Sequence, residues 1–137
     1  MDPAIRLLYR EHIPLDELAP RTIRTRIGSF APLLAGGTEN TILAANELAS
    51  AFLRHGGAES FELRIYDGDD RVRVELLDSM LSEANLTAPQ DQEGQMRLQL
   101  LDAVTDRWGV LGNGISLVWF EVRRDELAAG ENLRREM

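Results

Sequence analysis

Apolar and polar residues alternate at the start of the chain. Ile5, Leu7, Tyr9 and Ile13 follow a two-residue period that only Leu8 interrupts, so 5–12 reads as a strand, ended by Pro14. The period then lengthens. Leu18, Ile23, Ile27, Phe30 and Leu34 recur at helical spacing and predict one helix from Asp16 or Pro20 to about Leu34, stopped by Gly36-Gly37. Thr38 is placed to cap a second helix, with Glu39 in its first turn and Ile42, Ala45, Ala49 and Phe52 as its buried stripe; Gly56-Gly57 ends it. Alternation returns in Phe61, Leu63 and Ile65 and in Val72, Val74 and Leu76, on either side of the turn Asp67-Gly68-Asp69-Asp70: a β-hairpin. Asp78 to Gln95 is polar and irregular and reads as a long loop. A third helix is expected over about Met96–Arg107. A final hairpin follows, from Trp108-Gly109-Val110 through the turn Gly112-Asn113-Gly114 to Leu117–Val122. The sum predicts an α/β protein, a two-layer sandwich with one mixed sheet and helices on one face. Its expected domain is 1–124, with 125–137 a tail or short helix.

Composition narrows the function. The 137 residues suit one domain, and a hydrophobic content of 44% is enough for a core. No apolar run approaches the roughly 18 residues of a membrane span. Met1-Asp2-Pro3-Ala4-Ile5-Arg6 has no basic segment leading into an apolar one, so a cytoplasmic protein without membrane contact is expected. Cysteine is absent, which excludes disulfides and thiolate chemistry. The two histidines, His12 and His55, cannot build a His-rich metal cluster. A net charge of −8 argues against direct nucleic-acid binding, which needs clustered positive charge. All 15 basic residues are arginine. That bias suits a high-GC bacterial genome and rules out an active-site lysine.

Several motifs fall in a telling order: Glu47…Arg54-His55-Gly56 on the second helix, Val74…Asp78 at a strand end, and Asp106-Arg107-Trp108-Gly109-Val110 before Val118-Trp119-Phe120-Glu121. Over roughly residues 16–122 the chain resembles the anti-sigma-factor serine kinases of the histidine-kinase-like ATPase superfamily, the Bergerat fold, common as short stand-alone proteins in actinobacteria. The resemblance implies a cytoplasmic homodimer that sequesters an alternative sigma factor. Many such proteins also phosphorylate an anti-anti-sigma partner on serine, using ATP and magnesium.

The motifs that carry that chemistry are incomplete. The family's helix has Glu-x-x-x-Asn, the glutamate as general base and the asparagine as metal ligand, on one helix face. Glu47 is present, but the asparagine position is Ala51, whose methyl group offers no oxygen to a hard cation. Asn46 points about 100° away around the helix. The adenine-binding aspartate would be Asp78, yet the glycine expected two residues later is Met80. The glycines of the phosphate lid fall on Gln95 and Arg97, with Gly94 one residue out of register. Arg97 can reach a phosphate, but its Cβ obstructs close backbone approach. Each residue also has a plain reading: Glu47 an exposed helix glutamate, Asp78 a turn residue, Gly94 the start of the third helix.

Phosphoryl transfer depends on positioning and metal electrostatics, so these departures imply an anti-sigma factor that works by binding, with no ATP or magnesium cofactor. Two alternatives stay open: an ATP-dependent serine kinase with an unusual metal site, and a non-catalytic scaffold for an anti-anti-sigma protein. The expected contact surface is a basic patch on the first helix. Arg21 and Arg24 are i,i+3 neighbours there, near Arg26. Its plain reading is a solvated helix face. Trp108, Trp119 and Phe120 read as core or sheet-face residues.

Overall fold

In the computed structural model, the described residues are 5–34, 37–55, 59–68, 70–78, 92–112 and 116–123. The elements run β1 (Arg6–Pro14), α1 (Ala19–Gly28), α2 (Ala31–Leu34), α3 (Thr38–His55), β2 (Ser60–Asp67), β3 (Arg71–Asp78), α4 (Gln92–Val104), β4 (Arg107–Gly112) and β5 (Ser116–Arg123). The protein is α/β, with one five-stranded sheet in the order β1-β2-β3-β5-β4.

The expected mixed sheet is corrected: every described pairing is antiparallel. The reason lies in the last hairpin. β3 and β4 run the same way and are joined through α4, the arrangement that usually yields a parallel pair. β5 turns back from β4 and occupies the place between them. Parallel strands are therefore present but never adjacent.

Alternation sets the two faces of the sheet. Inward-facing rows cross it, such as Ile65–Val74–Phe120–Trp108 and Leu63–Leu76–Val118–Val110. They pack against Ile23 and Ile27 of α1, Leu48 and Phe52 of α3, and Leu101 of α4 in one core cluster. Phe52 meets Phe61 edge-on at 5.5 Å between ring centres. α3 is buried on most of its circumference because α1 lies on one side of it and α4 on the other.

Several boundaries shift. β1 extends through Pro14, which still opposes Ser60; an edge strand tolerates the missing N–H. A bulge falls between Leu7 and Tyr9, at the Leu8 that breaks the alternation. The expected single first helix is two helices. Pro32 cannot donate to the Gly28 carbonyl, and its ring would clash there, so α1 stops and α2 restarts after Ser29-Phe30. Thr38 is the first residue of α3 and not its cap. Gly37 precedes it, accepting from both the N–H and the hydroxyl of Thr41. A Cβ at Gly37 would lie 2.9 Å from Val122, so glycine lets α3 begin hard against β5. α4 starts a turn earlier than expected and ends three residues sooner, which moves Gln92–Gln95 from loop to helix. The rest of the expected loop, 79–91, the turn at 113–115 and the tail 124–137 lie outside the described residues.

Candidate functional site

Glu47, Ala51 and Arg54 fall on one stripe of α3, at spacings of four and three residues. Arg54 forms an ion pair with Glu93 at the start of α4, so this stripe faces α4. The buried side of α4 is Gly94, Arg97 and Leu101. Ala51 is fully buried and belongs to the core cluster, whereas Glu47 is half-buried at the margin of the junction. The position where the resemblance implies a metal ligand is therefore a small residue of the buried core.

Gly94 lies within α4 and is buried. Arg97, one turn on, has only 3% of its surface exposed. Its Nε is buried without a hydrogen-bond partner. An arginine in such a place is costly, since a buried charge needs compensation. Met80 lies outside the described residues, as does the side chain of Asp78, which closes β3 opposite Ser116. The structure thus packs α3, which carries Glu47 and Ala51, against α4, which carries Gly94 and Arg97, with Arg54 and Glu93 as the ion pair between them. Among the described residues no group of three histidine, aspartate or glutamate side chains is placed to hold a metal ion.

The Asp-Arg-Trp-Gly motif has structural work to do at the β4–β5 hairpin. The Asp106 carboxylate accepts from the Arg123 N–H at 2.6 Å, and the Asp106 N–H donates to the Glu121 carbonyl. Trp108 turns toward the helices, its indole N–H donating to Asp102 of α4 at 2.8 Å. Gly109 lies under Trp119; a Cβ there would come within 2.9 Å of the indole. Arg73 covers the same ring at 4.3 Å from its centre.

Glu121 is the hub of the outer sheet face. Its carboxylate accepts from Arg71 and Arg73 of β3 and from Arg107 of β4, the two strands that flank β5. Burial pushes its carboxyl up, but the hydrogen bonds from those arginines outweigh burial and hold it below the ordinary glutamate range. These residues and Trp119 line a depression of about 570 Å³. Sequence patterning missed this site because arginine and glutamate at every second strand position look like any solvated face. The one available signal was that Arg71, Arg73 and Glu75 share a parity with Trp119 and Glu121.

On the helix layer, Arg21 and Arg24 are exposed on α1. Neither has an ion-pair partner among the described residues. Arg26, also on α1, is engaged: its Nε donates to Glu11 of β1 at 2.6 Å. That hydrogen bond holds the Glu11 carboxyl below its ordinary value. Leu18, three residues before Arg21, is 59% exposed, so the patch is basic with an apolar neighbour. No protein-family model matches the sequence, and no curated protein does either. Among the described residues no helix is long and apolar enough to cross a membrane.

Proposed function

We propose that the protein is an anti-sigma factor of the Bergerat-fold type that holds an alternative sigma factor by direct binding in the cytoplasm, as a homodimer and without kinase activity. The observation that carries the binding half of this reading is the α1 patch. Arg21 and Arg24 stand exposed beside Leu18, while Arg26 is tied to the sheet. Exposed arginines without an ion-pair partner among the described residues are of a type enriched in interface hot spots, and on a chain of net charge −8 they would steer an acidic partner to one place. The order of elements also supports it: strand, helices, hairpin, helix and hairpin follow one another as the resemblance requires. The burial of Ala51 supports the non-catalytic half. An anti-anti-sigma protein is a second expected partner.

One observation favours the kinase alternative. Arg97 is a buried cation with an unsatisfied Nε, on the helix where the resemblance puts the nucleotide phosphates. The test is twofold. Arg21→Glu combined with Arg24→Glu should release a sigma factor in a reconstituted transcription assay while the fold is kept; an unchanged complex refutes the α1 contact. If no sigma factor of the same organism binds wild type at micromolar concentration, the anti-sigma reading falls and the scaffold reading for an anti-anti-sigma protein leads.

A further inference from the structure

The outer face of the sheet is built differently from the rest of this acidic protein. By register, Arg10, Arg64, Arg71, Arg73, Arg107 and Arg123 all lie on it. They oppose three carboxylates, Glu62, Glu75 and Glu121, with Asp70 at the rim beside Arg71. The two kinds of charge sit at different depths. The carboxylates of the three glutamates are 12%, 10% and 7% exposed, whereas Arg10 and Arg107 are 61% and 60% exposed. The acids form a lower layer and the guanidiniums cover them. Above the three glutamates what reaches solvent is positive, with Asp70 as the exposed acid at the rim, on a chain whose net charge is −8.

Beside this layer runs an apolar row, Leu77–Leu117–Leu111, on the same face. Leu111 is 58% exposed at its open end. Trp119 lies between the row and the arginines, fixed over Gly109 and under Arg73. A flat tryptophan, an exposed leucine and a guanidinium layer already locked by ion pairs make a preorganised surface, which lowers the ordering cost of association.

We propose that this sheet face docks an acidic protein segment whose carboxylates meet the arginine layer while its apolar side chains lie on Trp119 and Leu111. Charge complementarity selects the occupant. A second copy of the chain, placed face to face, would set guanidinium against guanidinium, because a two-fold interface apposes the same patch. A long nucleic acid would meet the acidic remainder of the molecule, whereas a short acidic segment stays within the positive face. The surface belongs to the opposite layer from Arg21 and Arg24, and the proposal is independent of the sigma-factor reading.

The test uses the full chain and a short fluorescein-labelled peptide of alternating glutamate and leucine, followed by fluorescence anisotropy. Binding in the micromolar range is expected, weakening as salt is raised. Leu111→Glu and Arg107→Gln should each weaken it by about tenfold or more, with circular dichroism unchanged. Arg21→Glu combined with Arg24→Glu should leave it as it was. Leu111 is mostly in solvent, so its replacement keeps the test decisive if the Arg107 variant loses stability. The proposal is overturned if the peptide fails to bind at millimolar concentration, if both sheet variants bind like wild type, or if only the α1 variant loses binding. Tighter binding to a short DNA duplex than to the peptide also overturns it. So does a doubled mass in light scattering that both sheet variants abolish, which would make a second copy the occupant.

Discussion

Ala51 decides what the junction of α3 and α4 can hold. It is fully buried, on the stripe of α3 whose Arg54 pairs with Glu93 of α4. Installing the asparagine of the proposed family by Ala51→Asn would push a polar amide into the core. Overpacking and an unsatisfied polar group together should cost about 2 kcal/mol, seen as a lower midpoint in urea unfolding. The variant should gain no affinity for ATP; a gain would mean that the junction opens to solvent and ligand. Glu121 makes a second prediction at this scale. Its folded pKa is depressed, so its contribution to stability is present above the unfolded value of about 4.3 and is lost as pH falls through the folded value. Glu121→Gln should flatten that acid limb. At neutral pH, breaking a buried pair costs about 3–5 kcal/mol. Its partners Arg71, Arg73 and Arg107 are partly in water, which lowers the expected loss to about 2 kcal/mol. An acid limb identical to wild type would show that the hub carries no linkage.

At the scale of elements, β1 and β4 are the open edges of the sheet. An open edge invites pairing, and the bulge at Leu7/Tyr9 confines that invitation to the residues from Tyr9 onward. The homodimer we expect would use this edge. Static light scattering at micromolar concentration should report twice the chain mass, and a monomer at all accessible concentrations would contradict it. The strands were legible in the sequence because alternation survives wherever one face is buried, as in Phe61–Leu63–Ile65 and Val72–Val74–Leu76. The helix boundaries were less legible. A proline at 32 divides α1 from α2 without disturbing the apolar spacing, and Gln92–Gln95 join α4 although their side chains are polar. The sheet pairing was not legible, because nothing local records that β5 inserts between β3 and β4. Of the candidate site, the sequence showed that Ala51 lacks a ligand atom. It did not show that Arg97 is buried, since burial of one arginine depends on the packing of α4 against α3.

At the scale of the whole molecule, the two layers present different chemistry. The helix layer carries the exposed Arg21 and Arg24 with Leu18; the sheet layer carries its arginines over buried acids. In the proposed reading nucleotide chemistry would be housed between α3 and α4, and the position it would need for a metal ligand is the buried Ala51. Calorimetry with ATP and magnesium at millimolar concentration should therefore show no binding. A micromolar dissociation constant, worth about 8 kcal/mol, would contradict this and move weight to Arg97 and the kinase alternative. The most direct measurement is a titration of the purified protein with the alternative sigma factors of its own organism, with and without ATP and magnesium. The account predicts that one of them binds at submicromolar concentration, unchanged by nucleotide and weakened by Arg21→Glu with Arg24→Glu. Binding that requires ATP, or no sigma-factor binding at micromolar concentration, would contradict it.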